Sequence, residues 1–219
     1  MTVEKHDDGT LLSTAYMPPI GYMAVMARNR VIHIEQQETF PKQTLRNRCL
    51  ICTANGVMPL TVPVVRPNGN HTVTRDIAID YKQNWNTVHW RTLVSAYSSS
   101  PYFLYYKDGI EAILMRHYDR LIELNRDLLD YFVAKLKLDN IIDHTEDYAR
   151  KEHVANDLRE VFPIKKECRL FSFTPYYQVF EYKQEFHPNL SILDLLFNLG
   201  PEAPQYLTSL KEVNAGTQA

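Results

Sequence analysis

The sequence predicts an α/β or α+β protein, with a mixed β-sheet from the N-terminal half covered by long helices and a C-terminal strand pair and helix. Two observations predict this class. Up to about residue 80 the apolar segments are short and β-branched, and several alternate with polar residues. From residue 82 onward apolar residues recur every three or four positions. We expect a single domain, residues 1–219, with a core over about 13–135 and a C-terminal extension over 136–210.

Composition and charge narrow the class further. The chain has 219 residues, of which 45% are hydrophobic and 23% charged, so it is long and apolar enough to bury a core and is not disordered. Its 24 Lys and Arg against 26 Asp and Glu give a formal charge of -2, which is too balanced to predict affinity for nucleic acid or an anionic membrane. A basic site must therefore be local.

Compartment and membrane contact follow from the cysteines and the hydropathy. An odd count of 3 Cys favours a reducing compartment, with the cytoplasm as the default. The first residues lack the basic and apolar regions of a signal peptide, and no window approaches the roughly 18 apolar residues of a membrane span. We therefore expect a cytoplasmic protein without membrane insertion. The sequence does not identify a cofactor, and it allows the chain to form a homo-oligomer.

The first elements along the chain alternate between strands and turns. Residues 11–17 predict a strand that Pro18-Pro19 stops, and residues 20–27 predict a short buried helix. Residues 31–35 form a β-branched strand, followed by a polar loop over 36–45.

A hairpin and a further strand complete the predicted sheet. Residues 46–53 and 58–64 predict two strands that turn at Asn55-Gly56, a frequent tight-hairpin dipeptide. A turn at 68–70 then precedes an alternating strand over 76–80.

The second half is predicted to be mostly helical. Residues 82–98 predict one helix, and the apolar spacing over 110–136 predicts a single long amphipathic helix that lies across the sheet. Beyond it we expect a short strand at 141–142, a polar helix over 148–160, two short strands over 168–182 and a helix over 191–199. For that last helix, Ser191 and Asp194 have the spacing of a capping box, and Gly200-Pro201 ends it.

Two polar pairs are candidates for chemistry. The period of two in the strand over 31–35 places His33 and Glu35 on one face, and a strand over 46–52 places Arg46 and Arg48 on one face. An imidazole beside a carboxylate suits proton transfer, and paired guanidinium groups suit a carboxylate or phosphate. We therefore predict that these four residues converge. The alternative, a solvated sheet face on which His33 and Glu35 bridge to the arginines, stays open.

Other motifs give weaker indications. Cys49 and Cys52 form a C-x-x-C, but residues three apart on a strand point to opposite faces, so we expect structural thiols and no metal site. His89 follows Trp85 by one helical turn, which is typical of a packed histidine but also allows a ligand-binding one. The glycine-rich fingerprints of dinucleotide-binding folds and P-loops, and the nucleophile elbow of α/β-hydrolases, do not occur in the sequence.

Five segments together resemble the WbqC-like family, whose bacterial members are often encoded among surface-polysaccharide genes. The segments are 15–26, 31–48, 60–64, 76–85 and 95–103. The matching positions fall into three groups: Pro19, Gly21 and Tyr22 in an opening P-x-G-Y pattern; Arg46, Asn47 and Arg48 in an R-N-R motif; and Trp85, Ala96, Tyr97 and Pro101 in a helix. The resemblance covers about residues 13–135.

The sequence departs from the family pattern at two places. Thr14-Ala15 stands where the family usually has Gln-Pro, and residues 33–36 stand where many members carry an aromatic residue and two acids. Of those acids this chain keeps Glu35 at most.

The resemblance implies an enzyme of surface-polysaccharide or lipopolysaccharide precursor biosynthesis, such as an O-antigen transferase. Its ligand would be an anionic activated sugar or a small carboxylate-bearing acceptor. A non-catalytic ligand-binding or scaffold protein with a basic cleft is the alternative. The candidate catalytic residues are His33 and Glu35, and the candidate ligand-binding residues are Tyr22, Lys42, Arg46, Asn47, Arg48 and His89.

Overall fold

The computed structural model describes residues 9–150, 154, 156–164 and 168–213. Its largest sheet has four short parallel strands, two from the N-terminal part of the chain and two from beyond residue 140. The strands of this sheet are β1 (Thr10–Ser13), β2 (Val31–Glu35), β7 (Ile141–His144) and β8 (Asn156–Asp157), and their order in the sheet is β7-β2-β1-β8. All pairings are parallel, and Leu12 lies opposite Ile34. The side chains of Leu12, Ile32 and Ile34 are buried in the main apolar core.

Helix α1 (Ile20–Arg28) connects the two central strands. The chain leaves β1, passes Pro18-Pro19 and enters α1, whose residues from Ile20 to Met26 are all buried. Since proline fixes φ and lacks an N–H, it suits the residue before a helix and not the end of a continuing strand. The predicted buried helix is confirmed, and the predicted strand is present but shorter, because β1 ends at Ser13 and not at the prolines.

Three antiparallel pairs surround the parallel sheet. Strands β3 (Arg48–Thr53) and β4 (Gly56–Thr61) form the predicted hairpin, in which Gly56 has a φ of +105° that favours glycine at the turn. Strands β5 (Val64–Val65) and β6 (Ala78–Ile79) pair, as do β9 (Phe171–Ser172) and β10 (Lys211–Glu212).

Within the described residues, five further helices, from the middle and the C-terminal part of the chain, contribute side chains to the apolar core. They are α2 (Trp85–Tyr97), α3 (Phe103–Met115), α4 (Leu121–Lys135), α5 (Ile192–Leu199) and α6 (Ala203–Ser209), with short 3-10 turns at Gly69–His71, Thr74–Asp76 and Gly200–Glu202. α5 is buried over almost its whole length and contacts α1, α3 and β3. No helix within the described ranges is both long and apolar enough to cross a membrane. The α/β class with a C-terminal strand pair and helix is confirmed.

The single helix expected over 110–136 is wrong. The chain forms α3 and α4 with a break between them, where Tyr118 N donates to Tyr81 Oη at 3.1 Å and Leu121 N donates to Ile77 O at 3.0 Å. These two bonds satisfy backbone N–H groups of the break with acceptors that lie outside α3 and α4. The apolar spacing continues through the break, and the spacing alone therefore does not predict where the helix is interrupted.

The polar helix expected over 148–160 is also wrong for the residues that the structure describes there. β8 occupies 156–157 and pairs with β1 at the edge of the parallel sheet; residues 151–153 and 155 of that prediction lie outside the described residues. Of the two strands expected over 168–182, the structure contains β9.

The start of α5 differs in detail from the prediction. Ser191 Oγ accepts a hydrogen bond from Leu193 N, as an N-cap does. However, Asp194 does not return a bond to Ser191 N, which donates instead to Leu50 O at 2.8 Å. Asp194 is buried and accepts hydrogen bonds from the side chains of Tyr97, Tyr176 and Gln178.

Candidate functional site

The carboxyl ends of β1 and β2 meet at a buried polar network. Ser13 and Glu35 end the two strands and lie opposite each other in the register. Glu35 is fully buried, and its Oε2 accepts from Arg159 Nη1 at 3.1 Å and from Ala149 N at 3.0 Å. Its Oε1 accepts from Thr145 Oγ1 at 2.8 Å. Both oxygens of this carboxylate are therefore occupied by protein donors.

Arg46 joins the same network from the loop before β3. Its Nε donates to Glu38 Oε1 at 2.7 Å and its Nη2 to Glu38 Oε2 at 2.6 Å, which is the paired geometry that guanidinium forms with a carboxylate. Nη2 also donates to Ser13 Oγ at 2.6 Å, and Nη1 donates to Thr44 Oγ1. With 3% of its surface exposed, Arg46 has its whole fork engaged inside the protein.

Three acidic or basic residues of this network, Glu38, Asp157 and Arg159, were missed by the sequence analysis. Glu38 lies in the polar loop over 36–45, where no periodicity marks it. Arg159 donates from Nη2 to Asp157 Oδ2 at 2.7 Å and from Nη1 to Glu35 Oε2 at 3.1 Å. Burial disfavours its charge, but the hydrogen bonds and charge of Asp157 outweigh burial and raise the pKa of Arg159. The D-x-R spacing of Asp157 and Arg159 is the signal that could have found this pair.

Tyr22 lies beside the network on α1. It is buried, and its hydroxyl donates to Ser13 O at 3.0 Å. Burial raises the pKa of Tyr22, the charge of Arg46 lowers it and the charge of Glu38 raises it. The hydroxyl is therefore a neutral donor at physiological pH.

The structure brings Glu35 and Arg46 together around Ser13 but places His33 and Arg48 elsewhere. His33 lies on β2 with Nδ1 3.6 Å from Asp143 Oδ2 on β7. Arg48 begins β3, so Arg46 precedes the strand and the two arginines do not share a strand face. Their hydrogen-bonded partners in the described residues also differ. The predicted four-residue convergence is thus limited to one pair.

The other predicted ligand-binding residues are dispersed. His89 is buried on α2, its Nδ1 lies 2.9 Å from Tyr16 Oη, and burial lowers its pKa to about 4, so the ring is neutral at pH 7. Asn47 Nδ2 donates to Val62 O at 2.9 Å. Lys42 is exposed in the 36–45 loop. Their ligand-binding roles remain predictions.

A cavity of about 600 Å³ lies beside the segment that connects β1 to α1. Met17 and Pro19 form one part of its wall, and residues 48–50 of β3 with Val57 of β4 form another. Residues 162–164, 168, 171, 173 and 186–191 complete the described wall. Most of the lining side chains are apolar, including four phenylalanines: Phe162, Phe171, Phe173 and Phe186. The volume is within the range of roughly 300–1,000 Å³ that is usual for small-molecule sites.

Arg48 gives this cavity its charge. Its Nε donates to Thr61 Oγ1 at 2.9 Å, whereas Nη1 and Nη2 have no hydrogen-bond partner among the described residues. No Asp or Glu lines the cavity within that part of the chain. The wall therefore carries a permanent cation with free donors, which suits a carboxylate or phosphate.

Several hydrogen bonds hold the 186–191 segment of the wall in place, among them those of Asn189 and His187. Gly21 N donates to Asn189 Oδ1 at 2.8 Å, and a Cβ at position 21 would lie 3.0 Å from that oxygen. Gln178 Nε2 donates to Asp194 Oδ2 at 2.9 Å and to His187 O at 3.0 Å, and His187 N donates back to Gln178 Oε1. The buried carboxylate of α5 thus positions His187 through one amide side chain.

The cysteines have the properties of buried thiols. Burial raises the pKa of Cys49 to about 12 and that of Cys52 to about 11, so both are protonated at neutral pH. Cys49 and Cys168 line the cavity. Across the described residues no three His, Cys, Asp or Glu side chains are grouped closely enough to hold a metal ion.

Comparison with known proteins identifies relatives but no solved structure. A family model described as WbqC-like protein family matches residues 14–169 and 165–206. A Mycobacterium tuberculosis protein described as uncharacterized protein Rv1507c is 30% identical to this chain over an alignment of 225 residues. The alignment includes 90% of this chain and 96% of that protein. No solved structure matches significantly.

Proposed function

The chain belongs to the WbqC-like protein family. Because Arg48 lines a cavity of small-molecule size and two of its guanidinium nitrogens have no hydrogen-bond partner among the described residues, we propose that the protein binds an anionic ligand in this cavity. We propose further that it does so as a transferase of surface-polysaccharide precursor biosynthesis. The ligand is an anionic activated sugar or a small carboxylate-bearing acceptor. Lipopolysaccharide and its O-antigen are the products in which such precursors are used.

The different environments of the two arginines carry this proposal. Arg46 is buried and its fork is occupied by Glu38, Ser13 and Thr44, so a ligand would have to displace protein partners. Arg48 is partly exposed and keeps both terminal nitrogens free within the described part of the protein. A charge-assisted hydrogen bond contributes about 1.5–3 kcal/mol, so Arg48 is the residue from which a ligand gains most.

One observation favours the non-catalytic alternative. Neither His33 nor Glu35 lines the cavity, and Glu35 has both oxygens occupied by protein donors. Proton transfer at the cavity would have to use another group, and His187 supplies the one imidazole among the described lining residues. A binding or scaffold protein needs only the cation and the apolar wall.

Ligand-induced stabilisation of the purified protein tests the binding step. We expect at least one member of a panel of nucleotide sugars and small carboxylates to raise the melting temperature of the wild type but not that of Arg48→Gln. Arg91→Gln, which changes an exposed arginine on α2, is the matched control and keeps the response. No response from any panel member, or an equal response in Arg48→Gln, would refute the proposed site.

A transfer assay then separates the enzyme from the binding protein. The wild type is incubated with each stabilising donor and acceptor, and donor consumption is followed by chromatography. Turnover that is lost in His187→Asn, with binding retained, supports the transferase. Saturable binding without turnover supports the non-catalytic alternative.

A further inference from the structure

The cavity offers a ligand few free polar side-chain atoms: among the described lining residues, Asn189 Nδ2, His187 Nδ1 and the two terminal nitrogens of Arg48 have no hydrogen-bond partner. Ser191 Oγ already donates to Met17 O and accepts from Leu193 N, and Asn189 Oδ1 accepts from Gly21 N. His187 Nε2 lies 3.0 Å from Gln184 Oε1. Most of the remaining described wall consists of phenylalanine, aliphatic and proline side chains.

This shortage of partners disfavours a buried sugar ring. Each hydroxyl that leaves water without a new hydrogen bond lowers affinity, because its desolvation is not compensated. A hydrocarbon body has the opposite preference, since every apolar atom placed against the phenylalanines leaves water favourably. The lining residues therefore favour a ligand whose buried part is a hydrocarbon.

The charge of the wall selects one kind of head group. Arg48 is the only permanently charged residue that lines the cavity within the described ranges, and no acidic side chain there neutralises it. A cationic or neutral head group would leave its terminal nitrogens without an acceptor, whereas an anionic head group pairs with them.

From this chemistry we infer that the cavity takes a hydrocarbon chain of medium length that ends in a single carboxylate or phosphate. The inference rests on the proposed function and narrows it, because it favours the carboxylate-bearing acceptor over the activated sugar as the occupant of this cavity. The anionic group contacts Arg48, and the chain lies among Phe162, Phe173 and Phe186.

Four probes with defined head groups test the inference by calorimetry below their micellar concentrations. Decanoate and decyl phosphate carry the chain and an anion and separate the two head groups, decyltrimethylammonium carries a ten-carbon chain and a cation, and UDP-glucose carries phosphate without a chain. We expect saturable binding of decanoate or decyl phosphate to the full chain, at least about tenfold tighter than the other two probes, as loss of one charge-assisted interaction implies.

Two substitutions test the place of binding. Val57 lines the cavity and is 40% exposed, so Val57→Glu adds an anion to the wall with little cost in packing. Val65→Glu is the matched control, because Val65 on β5 is 45% exposed and does not line the cavity. Val57→Glu and Arg48→Gln should each weaken binding of the anionic chain about tenfold or more, and Val65→Glu should not.

The outcomes separate this inference from the proposed function. Binding of UDP-glucose that depends on Arg48, with no binding of decanoate or decyl phosphate, would overturn the inference and leave the proposed function standing. Absence of binding by all four probes would overturn the inference, and the panel of nucleotide sugars and carboxylates would then decide the proposed function. Equal binding of the anionic and cationic chains, or binding unaffected by Val57→Glu, would also overturn it.

Discussion

Replacing Arg46 by lysine should destabilise the protein although it keeps the charge. Four hydrogen bonds leave the Arg46 fork: two to Glu38, one to Ser13 and one to Thr44. They start from three nitrogens in one plane, whereas lysine has a single nitrogen at the end of a flexible chain. One ammonium cannot reach both oxygens of Glu38 and the two hydroxyls, so at least two of the four bonds are lost.

The expected cost follows from the burial of the pair. Side-chain exposure is 4% for Arg46 and 10% for Glu38, so water does not replace the missing donors. Two charge-assisted bonds at about 1.5–3 kcal/mol each set an upper range of roughly 3–6 kcal/mol. Because Lys retains the attraction to Glu38, a loss of about 2–4 kcal/mol is expected, below or near the value for removing one partner of a buried pair.

Thermal and urea denaturation of Arg46→Lys and Arg48→Lys measure this difference. At about 2–4 °C per kcal/mol for a chain of this length, Arg46→Lys should melt roughly 5–15 °C below the wild type. Arg48→Lys loses one bond, from Nε to Thr61 Oγ1 at a partly exposed site, and should melt within a few degrees of the wild type. Equal melting temperatures for the two variants would refute the assignment of Arg46 to stability and Arg48 to binding.

Three further predictions follow from other buried positions. The folded pKa of His89, about 4, lies below the unfolded value of 6.5, so the unfolded chain binds more protons between these two pH values. The free energy of unfolding therefore decreases by up to about 3 kcal/mol as the pH is lowered from 6.5 to 4. Urea melts from pH 7 to pH 4 should show a smaller decrease for His89→Asn than for the wild type, and equal slopes would contradict this. Because burial raises the pKa of Cys49 to about 12 and of Cys52 to about 11, both should resist iodoacetamide at pH 8 until the protein unfolds, as mass spectrometry would detect. Gly200→Ala should cost about 2–4 kcal/mol, because φ is +52° and a Cβ would lie 2.5 Å from an aromatic ring, and Gly56→Ala, with φ of +105° and open space, should cost clearly less in the same melts.

Elements with strong local signals were predictable from the sequence. Pro18-Pro19 stands directly before α1, where a fixed φ and a missing donor are tolerated, and Asn55-Gly56 forms the hairpin turn because Gly56 tolerates a positive φ. The strand β2 follows from its β-branched residues. In each case a few neighbouring residues decide the local conformation, so no distant partner has to be known.

Elements that depend on distant partners were not predictable. The break between α3 and α4 is stabilised by Tyr81 and Ile77, which lie about forty residues earlier in the chain. β8 consists of two polar residues, Asn156 and Asp157, and it is a strand because β1 offers a free edge beside it. The hydrophobic periodicity of a segment predicts neither the break between α3 and α4 nor the pairing of β8 with β1, because both depend on distant residues.

The candidate site divides in the same way. Strand alternation identified Glu35 as a residue of a charged pair, but its partner Arg159 comes from 124 residues further along the chain. The prediction of a shared face for Arg46 and Arg48 depended on a strand that starts two residues too early. Since β3 begins at Arg48, the backbone of Arg46 is free to turn its side chain toward Glu38 and the end of β1.

The position of the cavity follows from the same arrangement that buries Arg46. In open parallel sheets ligands usually bind beyond the carboxyl ends of the strands. Here Glu35 and Arg46 fill that edge with protein hydrogen bonds, so a ligand there would have to break a satisfied network. The chain leaving β1 passes Met17 and Pro19 before α1, and both residues belong to the cavity wall. The proposed ligand site therefore lies one loop beyond the sheet edge, where Arg48 is available, and substitutions in the network should change stability without changing the ligand preference of the cavity.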